Sequence, residues 1–260
     1  MHFTEKILLA LSRSPDAPDY HLSDDDVAVE NALDLLCAQF GREVLQHIRG
    51  KAILDYGCGY GKQAIAYLLN GARHVTSVDI VEDNIAHAKA LAEKYGVASK
   101  LSLQLGDVDD IDLPDNYFDT IITSDSFEHF SNPEGILNVC YLALKAQGRF
   151  LITFGNPWFH PYGSHMQYLT KLPWVHVLFS EKTVMKVRER FRNDHATRYK
   201  DVQGGLNQMT VRCFVKLVKA SGYQIEHFEL RGIRRIDSLT RLPVIREFFT
   251  NRVNCILRKK

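Results

Sequence analysis

One stretch in the first quarter of the chain constrains the fold more than any other. Residues 52–54 form a short apolar run typical of a buried parallel strand, and Asp55 closes it. Glycines then stand at three alternate positions, Gly57, Gly59 and Gly61. Apolar residues return at helical spacing from Ile65 onward. Glycine is favoured where the backbone turns with positive φ or touches a ligand. The stretch therefore predicts a strand, a tight turn and a helix, the first half of a nucleotide-type site in a doubly wound sheet.

The glycine spacing excludes two common nucleotide motifs. A dinucleotide-binding G-x-G-x-x-G would need its third glycine at position 62, which is Lys62. A phosphate-binding loop would need Ser or Thr after that lysine, where Gln63 stands. The remaining pattern, D-x-G-x-G-x-G, resembles motif I of the class I S-adenosylmethionine-dependent methyltransferases. A glycine turn without any ligand is the alternative.

Later segments resemble the other motifs of that family in the same order. Residues 75–79 form a β-rich run that ends in a carboxylate, the position that binds ribose hydroxyls. Asp107-Val108 matches the segment that meets adenine, and residues 113–124 match motif II. The run from Lys145 into residues 149–153 resembles motif III. The resemblance thus covers residues 51–154.

This resemblance implies S-adenosylmethionine as the cofactor, bound at the carboxyl ends of the strands. Ile80 could pack against the adenine face, and Asp79 could instead only cap the next helix. The residues that the resemblance implies for cofactor binding are Asp55, Tyr56, Gly57, Cys58, Gly59, Gly61, Asp79, Ile80, Asp107, Val108, Ser124 and Asp125.

The implied fold class is α/β, a Rossmann-like, doubly wound, seven-stranded and mostly parallel sheet with a helical lid insertion after strand five. An N-terminal helical segment (1–50) precedes the S-adenosylmethionine-binding core (51–154). A lid follows (155–209), and a C-terminal helix and strands complete the sheet (210–260). In the first segment, apolar spacing predicts a helix near residues 29–40, capped by one of Asp24–Asp26.

The lid concentrates both tryptophans and several tyrosines and histidines, as expected for an acceptor pocket. A small helical subdomain with its own core is a compatible alternative. A hydroxyl acceptor needs a base, and histidine suits that role. The candidates are His160 and His165 in the lid, with His129, which could merely orient its loop, ranked slightly below. Aromatic faces that could stabilise the sulfonium charge belong to Tyr56, Phe127 and Trp158.

Composition narrows the function further. The formal net charge of +1 gives no argument for nucleic-acid binding. No apolar run approaches the roughly 20 residues of a membrane span. Five scattered cysteines without a C-x-x-C pair favour reduced, cytoplasmic thiols. No metal-ligand spacing lies near the motifs, so we expect a metal-independent enzyme, monomeric or homodimeric.

The resemblance implies O- or N-methylation of a small-molecule acceptor. One alternative is a glycan or lipid-linked saccharide as acceptor. Others are a non-catalytic nucleotide-binding protein and an NAD-dependent oxidoreductase. Contact with a membrane surface through residues 172–179 and the basic residues that follow is a further possibility.

Overall fold

The structure is a computed structural model that describes residues 2–13, 29–202 and 205–260. The proposed helix cap at Asp24–Asp26 lies outside these ranges. Within them, no helix is both long and apolar enough to cross a bilayer.

A single sheet organises the described residues. Its strands are β1 (Ala52–Tyr56), β2 (His74–Asp79), β3 (Leu101–Leu105), β4 (Phe118–Ser124), β5 (Leu144–Gly155), β6 (Gln224–Gly232) and β7 (Thr250–Arg258). Their order is β3-β2-β1-β4-β5-β7-β6. β1 to β5 run parallel, whereas β7 is antiparallel to both β5 and β6. This arrangement confirms the predicted α/β class, including the seven-stranded, mostly parallel sheet.

Helices cover both faces of the sheet and build the region after β5. They are α1 (Phe3–Ala10), α2 (Val29–Phe40), α3 (Lys62–Leu69), α4 (Glu82–Lys94), α5 (Pro133–Ala143), α6 (Val175–Leu178), α7 (Glu181–Arg188), α8 (Val211–Ala220) and α9 (Arg246–Phe249). Local chemistry sets their starts. At α5, the Asn132 side chain accepts a hydrogen bond from the Gly135 amide, and Pro133 occupies the first turn, where its missing N–H costs nothing.

Two apolar clusters cover the sheet. One packs α5 and α8 through residues such as Phe150 and Phe214, and the other packs α2 and α3 through residues such as Ile53 and Ile65. The strand interiors are apolar because helices bury the parallel sheet on both faces. The helix predicted near residues 29–40 therefore covers the sheet.

A third cluster lies within the segment between β5 and α8. It joins Leu169, Val184 and Tyr199 to Leu8 of α1. The lid segment thus has an apolar core of its own, and α1 completes that core. The two helices of the N-terminal segment consequently pack in different places, α1 on the lid and α2 on the sheet.

Candidate active site

The turn between β1 and α3 has the left-handed backbone that its glycines predicted. The φ angles are 77° at Gly57, 51° at Gly59 and 77° at Gly61. A Cβ at Gly57 would meet Ser126 Oγ at 2.7 Å, and one at Gly61 would meet the Cβ of Ala88 at 2.5 Å. A Cβ at Gly59 would have no heavy atom within 4 Å. The outer glycines are therefore needed for packing, while the middle one leaves its backbone open to a ligand.

That turn borders a cavity of about 420 Å³ at the carboxyl ends of β1, β2 and β3. The volume lies in the range of ligand pockets, and the position is where open α/β sheets bind ligands. Six of the residues predicted for cofactor binding line it: Tyr56, Gly57, Gly59, Asp79, Ile80 and Asp107.

Asp79 connects the glycine turn to the start of α4 by hydrogen bonds. Its Oδ2 accepts a hydrogen bond from the Gly59 amide at 2.8 Å. Its Oδ1 accepts from the Val81 amide at 2.9 Å and from Asn84 Nδ2 at 3.0 Å. The carboxylate therefore holds the backbone at the start of α4, which is the capping role given above as the alternative to ribose binding. It also lines the cavity.

Asp55 ends the neighbouring strand at the same edge of the sheet. It pairs in register with Ser77 of β2, two residues before Asp79. Its Oδ2 is buried without a hydrogen-bond partner. Burial, followed by the nearby charge of Asp79, raises the pKa of the Asp55 carboxyl to about 7. Asp55 thus lies behind the turn and does not line the cavity itself.

Ile80 and Asp107 both line the cavity. Ile80 is 56% exposed there, although it is a large apolar residue. Asp107 Oδ2 accepts a hydrogen bond from Ser131 Oγ at 2.7 Å, and its Oδ1 accepts from the Val108 amide at 2.7 Å. The cavity wall thus includes an exposed apolar side chain and a carboxylate.

The other predicted cofactor residues lie outside this lining. Ser124 Oγ is buried without a partner, and Asp125 forms an ion pair with Arg252 of β7. Burial raises the pKa of the Cys58 thiol above its usual range, and Gly61 packs on α4. Val108 is buried in the cluster around α5. These residues therefore pack around the cavity without lining it.

Of the three aromatic candidates, Tyr56 alone lines this cavity. Its ring packs edge-on against Phe130 at 5.3 Å between centroids. Phe127 is fully buried among Phe154 and Phe214. Trp158 packs against Tyr199 in the lid.

His129 occupies the boundary between two cavities. It lines the cavity beside the glycine turn, which we call the cofactor cavity. It also lines a second cavity of about 530 Å³, which lies under the lid. Its Nδ1 lies 2.7 Å from the carbonyl oxygen of Gly205. A carbonyl can only accept, so Nδ1 carries the proton in a neutral ring and Nε2 is left as an acceptor.

The two lid histidines have different surroundings. The ring of His165 lies 5.3 Å from that of His129, and its Nε2 is buried without a partner. Burial, followed by the charge of His129, lowers the pKa of His165 to about 4. His160 lines neither cavity, and burial followed by His176 lowers its pKa to about 4. The structure therefore brings His129 and His165 together and leaves His160 apart.

The second cavity has a polar wall built from the lid. The guanidinium of Arg188 is buried, with two nitrogens on the carboxylate of Asp194 and its Nε donating to Tyr168 Oη at 2.6 Å. Ser164 Oγ is buried there without a hydrogen-bond partner. Unpaired buried polar atoms next to an open volume are suited to a ligand that carries hydroxyl or amine groups.

Several lining residues escaped the sequence reasoning. Ser126 and Ser131 lie close in sequence to His129, which is itself a candidate, so their presence at the site could have been predicted. Lid residues near position 200 carried no signal, because only the folding of the lid places them over β1 and β2. The missed residues include Asn84, Ser126, Ser131, Lys200, Val202 and Gly205. Among the described residues, no group of three His, Cys, Asp or Glu side chains is placed to hold a metal ion.

Comparison with known proteins gives a match for one part of the chain. Residues 54–152 match a family model described as a methyltransferase domain. A sterol 24-C-methyltransferase of Gibberella zeae is 34% identical over 101 residues, 39% of this chain and 27% of that protein. A ubiquinone biosynthesis O-methyltransferase of Maricaulis maris is 32% identical over 123 residues, 44% of each. The chain thus spans about a quarter to less than half of the length of these relatives.

A solved structure has a similar fold over a longer part of the chain. The structure of an S-adenosylmethionine-dependent methyltransferase from Mesorhizobium loti matches with a TM-score of 0.58 at 19% identity. The match covers 84% of this chain and 96% of that one, and likeness at this identity shows the fold.

The sheet order, the glycine turn and the family match define a class I methyltransferase domain. The part of the chain that this match assigns is residues 54–152, a methyltransferase domain. The family and the cofactor that the motifs predicted are confirmed.

Proposed function

We propose that the chain transfers a methyl group from S-adenosylmethionine to an oxygen or nitrogen of a small-molecule acceptor, without a metal ion. The observation that carries this proposal is that the cofactor cavity and the cavity under the lid share His129 and Val202. Because both cavities are lined by these two residues, a donor held in one would lie near an acceptor held in the other.

The cofactor, when bound, supplies a methyl group already activated by a positively charged sulfur, so holding the partners in place accounts for much of the rate. Asp79 would accept a hydrogen bond from a ribose hydroxyl, and Asp107 from the adenine amino group. Ile80 would cover one face of the adenine. The bare backbone at Gly59 would leave room for the chain of the cofactor.

His129 would act as the base for a hydroxyl acceptor. Its Nδ1 is held by the Gly205 carbonyl, so its Nε2 would take the proton that the hydroxyl loses. His165, with its lowered pKa, stays neutral at physiological pH and would orient the acceptor by hydrogen bonding. His160 would stabilise the lid, although the sequence ranked it among the first candidates.

The acceptor is proposed only as a class. The named relatives act on a sterol and in ubiquinone biosynthesis, so the shared domain serves different acceptors. The polar wall around Ser164 and Arg188 favours an acceptor with hydroxyl or amine groups. A glycan or a lipid-linked saccharide would carry such groups and is the second candidate.

A cytoplasmic location and a monomeric or homodimeric state belong to the proposal, as does the absence of a nucleic-acid partner. All five cysteines are free thiols, which supports a reducing compartment. The near-neutral charge of the whole chain supports the exclusion of nucleic acid.

Two titrations followed by one transfer assay test the proposal. Calorimetry should show saturable binding of S-adenosylhomocysteine and none of NAD⁺. Protein given methyl-labelled S-adenosylmethionine and a small-molecule extract should then release S-adenosylhomocysteine and label an extract component, with or without EDTA. Binding of NAD⁺ alone would contradict the proposal, and loss of transfer in EDTA would contradict metal independence.

A further inference from the structure

A set of exposed apolar side chains lies next to the lid. Large apolar residues are normally exposed singly, and a group on one face marks an interaction surface. Val244 is 84% exposed and Leu178 is 63% exposed. We call the group the apolar face; it consists of Val177, Leu178, Ile236, Leu242, Val244 and Phe248.

Two separate chain segments form the apolar face, and contacts join them. The rings of Phe159 and Phe248 lie 5.3 Å apart between centroids, which connects the lid to α9. Trp174 Nε1 donates to the carbonyl of Phe159 at 2.9 Å, and α6 starts at the next residue. The exposed tips of α6 are therefore neighbours of the connection between β6 and β7.

Strand directions place this face on the same edge of the sheet as the two cavities. Gly155, the last residue of β5, pairs with Arg252 near the start of β7. Gly232, the last residue of β6, pairs with Thr250. The connection at residues 233–249 thus lies at the carboxyl end of β5, where the lid also begins. Whatever docks on this face would lie at the same edge of the sheet as the second cavity.

The surroundings of the apolar face are cationic. Arg234, Arg235 and Arg241 are exposed and form no ion pair with a described residue. Lys171 and Lys182 are exposed on either side of α6. The whole chain carries a net charge of only +1, so this positive charge is a local feature.

The acidic residues of the β6–β7 connection are engaged by the backbone. Asp237 accepts a hydrogen bond from the Gly232 amide at 2.7 Å. Glu247 accepts from the amides of Val211 and Arg212 at the start of α8, at 2.9 and 2.8 Å. These carboxylates fix the fold of the connection, while the arginines project to solvent.

The turn that carries two of the arginines is well defined. Arg234 and Arg235 have left-handed φ angles of 52° and 62°, which non-glycine residues rarely adopt. The Gly232–Asp237 hydrogen bond holds this turn, and Thr240 Oγ1 also donates to the Leu230 carbonyl at 3.3 Å. The backbone is tightly packed as well, since a Cβ at Gly232 would lie 2.4 Å from the Ile236 carbonyl oxygen. Packing therefore holds the backbone that presents these cations.

We propose that this face docks onto the surface of a bilayer that contains anionic lipids. The arginines would meet lipid phosphates, and the apolar face would reach the boundary of the acyl chains. A second copy of the chain is a poorer occupant, because two such cationic faces repel each other. The docking would place the edge of the sheet that carries the second cavity next to the membrane.

The proposed membrane contact differs in position from the one that the sequence suggested. The sequence suggested residues 172–179 together with the basic residues that follow them. Val175 and His176 are buried, however, and Arg188 is buried against Asp194. The cations beside α6 come mainly from the β6–β7 connection, which is far away in the sequence.

Co-sedimentation with vesicles tests the proposal. Wild-type protein should pellet with vesicles of phosphatidylglycerol and phosphatidylcholine and stay in solution with phosphatidylcholine alone. Each cation close to an anionic surface changes partitioning roughly fivefold, so the triple change R234Q/R235Q/R241Q should lower it about a hundredfold. The double change L178S/V244S should also reduce binding, because it removes apolar tips.

A matched charge control comes from the opposite edge of the sheet. The change K89Q/K94Q/K100Q also removes three exposed positive charges, on and after α4, and should leave vesicle binding nearly unchanged. Equal loss in both triple variants, or no binding by wild type, would overturn the proposal. So would sedimentation velocity showing a wild-type dimer that R234Q/R235Q/R241Q dissociates. Binding of S-adenosylhomocysteine should stay intact in every variant, which separates this result from the proposed activity.

Discussion

The backbone amide of Gly59 donates a hydrogen bond to Oδ2 of Asp79 at 2.8 Å. This contact joins the turn after β1 to the end of β2. A carboxylate has about four lone-pair positions, and Gly59, Val81 and Asn84 together use three of them. One position on Oδ2 remains for a ribose hydroxyl. Asp79 therefore builds the wall of the cofactor cavity and keeps capacity for the ligand.

Asp79→Ala should weaken binding of S-adenosylhomocysteine by about 1–3 kcal/mol, because the ribose loses an acceptor. The melting temperature should fall as well, since three donors lose their partner. Calorimetry and a melting curve measure both effects. Asp115→Ala, which changes an exposed acid in the loop before β4, is the control and should affect neither. Unchanged affinity in Asp79→Ala would remove this residue from the site.

Two glycine substitutions separate the ligand from the packing. Gly59→Ala and Gly61→Ala both place a side chain at positive φ, at a cost of about 1–2 kcal/mol. Only the Cβ at position 61 meets a neighbour, Ala88, so that variant should lose about 1–3 kcal/mol more stability. Gly59→Ala should keep the fold and lose affinity for S-adenosylhomocysteine. Urea unfolding and calorimetry measure this pair, and the reverse ranking of stabilities would contradict the account.

The sequence predicted β1, β2 and the cofactor turn because these features are local. The strands are short apolar runs ended by carboxylates or glycines, and the structure has them at those positions. The lid could not be predicted in this way. Gly205 meets His129, and Leu8 enters the core around Leu169, through contacts that no spacing in the sequence records. The ranking of His160 above His129 rested on chain position alone.

Stability should depend on pH through Asp55. Its pKa is raised in the fold from 3.8 to about 7, so the folded state holds a proton that the unfolded chain has already released. The free energy of unfolding contributed by this group is present below about pH 4 and is lost as pH rises to about 7, at up to about 1.4 kcal/mol per pH unit. Asp55→Asn should flatten this dependence. Urea unfolding at several values from pH 5 to 8 tests it, and parallel curves for the two proteins would refute it.

The two histidines each allow a test by NMR. In its neutral form, His129 should carry its proton on Nδ1 and none on Nε2, because the Gly205 carbonyl accepts from Nδ1. His165 should stay neutral between pH 5.5 and 8, since its pKa is lowered to about 4. Nitrogen-15 NMR of labelled histidines measures both, with His129→Gln and His165→Gln used to assign the signals. A proton found on Nε2 of neutral His129 would exclude it as the base.

The central claim is that the hollow between the glycine turn and Asp79 binds an adenosyl-sulfur ligand. A crystal structure with S-adenosylhomocysteine tests it most directly. We expect a ribose hydroxyl on Asp79 Oδ2, the adenine against Ile80 with its amino group at Asp107, and the sulfur directed toward the cavity that His129 borders. A ligand bound elsewhere, or a ribose with no contact to Asp79, would contradict the claim.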